Sequence, residues 1–188
     1  MVDATLPLLS YMGSAALATG VEPEKVGSGH HTVYPYGAYP AGDGWIVIAV
    51  LSDKFWPRLC EALGLDGLAG DVGLATNAGR RERSDEVDEA LVAALSATTV
   101  EEACSRLREA GVPNGTVRGV LDALATPYVR GRGMVVEVAT PEGPYSFITG
   151  PLAARSPLRS APTLGQHTED VLREALAAEA TIPPFPGA

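Results

Sequence analysis

Two adjacent histidines, His30 and His31, and two nearby glycines, Gly27 and Gly29, are the residues of this sequence best suited to chemistry. An imidazole can transfer protons near neutral pH or bind a metal ion, and a glycine lets the backbone approach a ligand closely. The histidines have no third ligand at a metal-binding spacing, so we predict no metal site. The same pattern also fits an ordinary polar linker, and both interpretations stay open at this point.

A short basic run with Arg80, Arg81 and Arg83 is the second place where side chains could bind a ligand. Arginine binds phosphate groups well, but Glu82 and neighbouring acids dilute the positive charge of the run. The run therefore indicates either a solvated helix face or a binding site for the phosphates of a polyanionic ligand.

The overall composition narrows the class of protein. The chain has 188 residues, 46% of them hydrophobic, with 14 basic residues and a net charge of −9. A core of useful size is possible, while the scattered positive charge argues against nucleic acid as a partner. Its apolar stretches are too short to span a bilayer and no basic signal segment opens the sequence, so we expect a cytoplasmic protein with no membrane partner. Cys60 and Cys104 fit reduced core residues on helices.

Periodicity and turn residues predict the elements that position these side chains. The predicted helices cover residues 6–19, 54–63, 77–96, 100–109, 120–125 and 169–180, and the predicted strands cover residues 45–51, 134–138 and 145–149. Residues 21–41 are predicted as a loop. The first helix is apolar on nearly every side, so we expect another region or a second subunit to cover it.

These elements predict an α+β fold, with a small antiparallel sheet against a cluster of helices. We expect three parts. Residues 1–40 would form a linking helix and a glycine-rich loop, residues 41–150 a small α+β domain, and residues 151–188 an extended tether with Arg155 and Arg159 followed by a C-terminal helix. The strand near Trp45 is expected to join the hairpin at residues 134–149 in one sheet.

A run at residues 161–172 combines a proline-bearing approach, a glycine turn and a helix start. Gly165 suits a left-handed turn, Thr168 can cap the following helix, and Glu169 and Asp170 suit the positive end of the helix dipole. These properties explain why a helix begins here, but they give no reason for a histidine at position 167.

Taken with three upstream stretches, at residues 39–45, 111–117 and 132–138, this run resembles the C-terminal part of the family III CoA-transferases. The family is of the CaiB/BaiF type and also contains 2-methylacyl-CoA racemases. The resemblance covers nearly the whole chain, from about residue 2 to residue 176. It implies coenzyme A, as an acyl-CoA thioester, and a carboxylic acid as substrates.

The resemblance also implies functional residues. Gly27, Gly29, His30 and His31 match a loop that closes over the active site in the family. The family's covalent aspartate belongs to an N-terminal nucleotide-binding region, and no aspartate here matches it. We therefore name no catalytic residue and expect the chain to be inactive without that region.

Two alternatives remain beside the transferase. The chain could belong to a 2-methylacyl-CoA racemase, or it could be a non-catalytic remnant or assembly module. Family members form dimers whose subunits interlock, so the resemblance implies a homo-oligomer or a complementary N-terminal chain as partner. The acyl substrate cannot be derived from these residues, because specificity of this kind depends on the shape of the site.

Overall fold

The computed structural model describes residues 2–150 and 158–177. Their contacts divide the chain into two compact units, Met1–Arg118 and Gly119–Ala188. Each unit has its own small antiparallel sheet, of three strands in the first and two strands in the second. The predicted α+β class is confirmed, although the strands form two sheets rather than one.

The described part of the first unit, residues 2–118, contains seven α-helices, two 3-10 turns and three strands. The helices are α1 (Val2–Thr5), α2 (Ser10–Thr19), α3 (Phe55–Leu63), α4 (Asp66–Ala69), α5 (Asn77–Glu82), α6 (Ser84–Ser96) and α7 (Val100–Glu109), and the 3-10 turns are Leu6–Leu9 and Val72–Leu74. The strands are β1 (Tyr36–Ala41), β2 (Gly44–Ala49) and β3 (Asn114–Thr116). The described part of the second unit contains α8 (Val120–Ala125), α9 (Pro127–Gly131), β4 (Val135–Thr140), β5 (Gly143–Ile148) and α10 (Thr168–Ala177).

Strand β2 lies at the centre of the first sheet and pairs antiparallel with both neighbours. A two-residue turn at Gly42 and Asp43 joins β1 to β2, with Ala41 opposite Gly44. Ile46 and Ile48 point the same way from β2, and both are fully buried. Alternating burial therefore directs one face of this sheet into the core.

The expected pairing of the strand near Trp45 with the 134–149 hairpin is wrong, because within the described residues β4 and β5 pair with each other and β2 pairs with β1 and β3. Part of the predicted loop is instead β1, which pairs with β2. Gly37 and Pro40 gave this strand a low intrinsic propensity, so pairing across the short turn decides its conformation.

The core of the first unit lies between the sheet and three helices. Buried side chains recur at helical spacing, as Val100, Ala103, Cys104 and Leu107 do in α7. Thr99 and Glu102 begin α7 with a reciprocal capping box. Cys60 and Cys104 are free and buried, as expected of core residues.

Two predicted helices are each divided in the structure. The helix at 6–19 is divided, because Pro7 lies in a 3-10 turn ahead of α2. The helix at 77–96 breaks at Arg83, where Ser84 and Asp85 suit a new helix start. In the second unit Gly165 has the predicted left-handed conformation, with φ of +80°. Residues 151–157, including Arg155, and residues 178–188 lie outside the described residues.

Candidate functional site

The loop that contains the candidate residues makes a tight turn at residues 26–29. The Gly29 amide donates to the Val26 carbonyl at 2.8 Å, and Gly27 has a left-handed φ of +59°. The Ser28 hydroxyl accepts a hydrogen bond from the Ala38 amide at 3.0 Å. The turn is therefore attached to β1, although it belongs to no regular element itself.

Gly29 occupies a place with no room for a side chain. A Cβ atom at this position would lie 2.9 Å from the Val26 carbonyl oxygen and 3.5 Å from that of Tyr36. The nearer contact is with backbone of the same turn, so any larger residue must deform the turn. Gly27 has open space around it, and its glycine suits the positive φ instead.

His30 is held between two aromatic rings and the backbone that follows it. Its ring stacks on Tyr11 of α2 at a centroid distance of 5.4 Å and lies 5.3 Å from the ring of Tyr36. Its Nδ1 accepts hydrogen bonds from the amides of Thr32, at 3.1 Å, and Val33, at 3.3 Å. An Nδ1 that accepts is unprotonated, so the neutral ring carries its proton on Nε2 as a donor.

His31 makes a different contact. Its Nε2 donates to the Glu24 carbonyl at 2.9 Å, which fixes the start of the loop rather than its end. Within the described residues, no group of three or more His, Cys, Asp or Glu side chains could hold a metal ion. The structure thus gives the two neighbouring histidines separate partners.

A cavity of about 390 Å³ lies beside this loop. The loop, β1 and the helices α5 and α6 contribute its walls, including Ser28, His30, Tyr34, Tyr39, Arg81 and Asp88. A second cavity, of about 880 Å³, lies between the loop and α2 and has a more apolar lining that includes Leu9, Met12 and Ala16. Val26 and Gly29 line both cavities, so the turn separates them.

Two tyrosines and an aspartate form the floor of the smaller cavity. Burial raises the pKa of Tyr34 and Tyr39 far above the usual value, and the nearby Asp88 carboxylate raises both further. Both phenols therefore stay protonated, and the Tyr34 hydroxyl donates to the Ser84 carbonyl at 2.8 Å. Sequence reasoning missed this group because Asp88 lies on a helix some fifty residues away; the aromatic content of residues 34–39 was the only available indication.

The three arginines of the basic run have three different environments. The Arg80 side chain is fully buried and bonds Asp53 at 2.8 Å. The predicted solvated helix face is therefore wrong for Arg80. Arg83 bonds both Asp71 and Glu86, and its hydrogen bond to Asp71 lowers the pKa of that carboxyl group. Arg81 is exposed, lines the smaller cavity, and alone of the three makes no ion pair within the described part of the chain. Of these three arginines, Arg81 is thus the one available to an anionic ligand.

The model of CoA-transferase family III matches residues 1–168. The chain belongs to this family. It is 28% identical to a succinate–glutarate CoA-transferase of Agrobacterium fabrum, over 98% of this chain and 47% of that protein. It is 32% identical to a succinyl-CoA:mesaconate CoA-transferase of Haloarcula hispanica, over 83% of this chain and 40% of that protein.

The chain is similar in fold to a solved structure of a CAIB/BAIF family protein from Brucella suis. The TM-score is 0.70 at 26% identity, over 89% of this chain and 44% of that one. This family III chain therefore spans less than half the length of these relatives. None of its described helices is long and apolar enough to cross a membrane.

Proposed function

We propose that this chain forms the C-terminal part of an acyl-CoA:carboxylate CoA-transferase, in which residues 27–31 close over the reacting thioester. Family membership over residues 1–168 carries the proposal. The loop supports it, because Gly29 packs too tightly for a side chain and His30 is oriented by two backbone amides. Coenzyme A is the proposed substrate carrier, with no metal required, and the proposed location is the cytoplasm.

The proposed reaction needs a carboxylate that this chain does not match. That carboxylate, an aspartate in the family, attacks the acyl carbon of the thioester, the C–S bond breaks, and CoA leaves as a thiolate. The thiolate then attacks the aspartyl carbonyl of the mixed anhydride and releases the first acid. A second acid reverses both steps and leaves as its CoA thioester. The aspartate would come from the part of the relatives that lies outside the match.

Residues of this chain would act on the intermediate without bonding to it covalently. A mixed anhydride hydrolyses if water reaches it, so a closely packed glycine turn would protect it by excluding water. The Nε2–H group of His30 is a donor that would stabilise negative charge on the acyl oxygen. The protonated tyrosines would add neutral hydroxyl groups to the cavity wall beside the Asp88 carboxylate.

Arg81 is the residue that we assign to an anionic group of the substrate. The curated relatives named above act on succinate, glutarate and mesaconate, all dicarboxylic acids. We propose the same class here, with Arg81 bonding either the free carboxylate of the acid or a phosphate of CoA. High salt should weaken such an exposed contact.

The N-terminal elements suggest that the chain acts within a larger assembly. Leu6, Leu8 and Leu17 are exposed, and α1, the adjoining 3-10 turn and α2 contain no buried residue. We propose that a second copy of the chain or a complementary N-terminal region covers them. The same surface is the observation that favours the alternative of a non-catalytic assembly module.

The test compares the chain alone with the chain joined to the region that an active relative has before the matched part. Transfer of CoA from succinyl-CoA to glutarate is followed by mass spectrometry. We expect no turnover by the chain alone and measurable turnover by the joined protein. Turnover by the chain alone that is lost on mutating one of its own acids would contradict the proposal. Exchange of the C2 proton with solvent, without transfer, would indicate a racemase.

A further inference from the structure

We propose that Asn77 and Arg80 are positioning residues that hold residues 32–34 and thereby set the orientation of His30. Both lie on the short helix α5, far from the loop in sequence. The proposal rests on the proposed role of the loop for its kinetic consequence, but its structural consequence can be measured separately.

Asn77 makes two hydrogen bonds to the segment that follows the loop. Its Nδ2 donates to the Thr32 carbonyl at 2.8 Å, and its Oδ1 accepts from the Tyr34 amide at 2.8 Å. One side-chain amide thus satisfies two backbone groups on either side of Val33. Both bonds need a side chain that donates and accepts. Aspartate, of similar shape, can only accept and so makes one of them, and leucine makes neither.

Arg80 binds the same segment from a fully buried position. Its Nε donates to the Tyr34 carbonyl at 3.0 Å, while one terminal nitrogen donates to the carbonyls of Leu74 and Ala75. The other terminal nitrogen bonds Asp53 at 2.8 Å. A buried guanidinium is costly to leave unpaired, so this geometry resists displacement of Tyr34.

The contacts continue from the held segment to His30. The amides of Thr32 and Val33 donate to Nδ1 of His30, so the position of these two residues orients the imidazole. Asn77 fixes the carbonyl of Thr32, whose amide is one of these donors. Loss of the Asn77 contact should therefore loosen the loop while the packed core stays intact.

The variant Asn77→Asp tests this inference. It keeps an acceptor for the Tyr34 amide, removes the donor to the Thr32 carbonyl, and places a carboxylate at the first residue of α5, where negative charge is favourable. Amide hydrogen exchange of residues 26–34 is measured by mass spectrometry, together with the melting temperature. We expect exchange in this segment to become about tenfold faster, as for the loss of one hydrogen bond, and α6 and α7 to exchange as in the parent.

Arg83→Gln is the matched control, because Arg83 lies beside the same helix and contacts no residue of the loop in any described hydrogen bond or ion pair. It should leave exchange of residues 26–34 unchanged. Unchanged exchange in Asn77→Asp would overturn the proposal. A second variant, Arg80→Lys, removes the planar fork that reaches Tyr34 and should also speed exchange of residues 26–34.

The kinetic test uses the joined protein described above. Asn77→Asp should lower kcat about tenfold and raise the ratio of thioester hydrolysis to transfer, with KM nearly unchanged. A parent without transferase activity would contradict the proposed function, whereas faster exchange of residues 26–34 would still support the positioning role. An active parent whose kcat and hydrolysis ratio are unchanged in Asn77→Asp would overturn the kinetic part of the inference.

Discussion

Gly29 and Gly27 show how two glycines in one turn can serve different purposes. Position 29 needs glycine because an added Cβ atom would contact the Val26 carbonyl oxygen. Position 27 needs glycine because its backbone φ is positive. The distinction matters for mutagenesis because asparagine tolerates a left-handed φ, but no larger residue can avoid the contact at Gly29. Substitutions at Gly27 and Gly29 therefore test two requirements separately: a left-handed backbone angle at Gly27 and a close backbone approach at Gly29.

Gly29→Val is expected to reduce turnover more than it reduces fold stability. The branched side chain would displace the Val26–Gly29 turn, which shields the intermediate from water in the proposed reaction, while the core lies elsewhere. We expect turnover to fall about tenfold or more and the melting temperature to change by only a few degrees, about the effect of 1 kcal/mol. Turnover, thioester hydrolysis and melting temperature are measured together.

Gly115→Val is the control for that experiment, since a Cβ at Gly115 meets nothing within 4 Å and its strand suits valine. It should leave turnover unchanged. If Gly29→Val also left turnover and hydrolysis unchanged, the loop would be an ordinary linker. A large fall in melting temperature would show that Gly29 acts through stability.

Arg81→Gln is expected to raise KM while kcat changes little. Arg81 makes no ion pair within the described residues, so its removal should cost binding of a substrate anion rather than the fold. Loss of an exposed charge contact should raise KM about five- to tenfold at low salt, and the increase should be smaller at high salt. Comparing full-length CoA thioesters with their pantetheine analogues identifies the anion: an effect lost with the analogues indicates a CoA phosphate. Equal KM values for parent and variant would rule out this role.

At the scale of whole elements, the sequence predicted best where a local interaction decides the structure. Helices α3, α7 and α8 depend on local periodicity and turn residues, and all three were predicted within one residue of their observed ends. The predictions failed where a distant residue decides. β1 forms because β2 pairs with it, and Arg80 is buried because Asp53 and the carbonyls of distant segments surround it.

The candidate site shows the same division. Composition indicated a loop at Gly27–His31, and the family resemblance gave it a predicted role. Neither could identify Asn77 or Asp88 as its neighbours, since contacts some fifty residues apart leave no local pattern. The roles assigned to Gly27, Gly29, His30 and His31 remain predictions until the variants are measured.

The capping box of α7 gives a test of stability at this scale. Thr99→Ala removes the acceptor for the Glu102 amide at 3.3 Å, and the loss of such a cap costs about 1 kcal/mol of the free energy of unfolding. Denaturant unfolding measures this loss. Ser96→Ala is the control, because its hydroxyl only bonds back to Val92 within α6. Equal losses in the two variants would contradict a specific role for the cap.

For the molecule as a whole, the distribution of exposed apolar residues is the most informative property. α2 has no buried residue, and its Leu17 is 90% exposed. Large apolar side chains gathered on one short region are unusual for a surface that faces only water. Since α2 also supplies Tyr11, which stacks on His30, a partner that covers α2 would act directly on the candidate site.

Self-association of the isolated chain is therefore expected, and Leu17→Glu should reduce it. Each buried leucine contributes about 1.5–3 kcal/mol to association, so one charge at this position should weaken a dimer about tenfold or more. Sedimentation and binding of a hydrophobic dye are measured across a range of concentrations. Val72→Glu, at a similarly exposed position outside α1 and α2, is the matched control and should associate like the parent. A parent chain that stays monomeric at high concentration and binds no dye would show that α2 needs no partner, and Tyr11 would then position His30 within the chain alone.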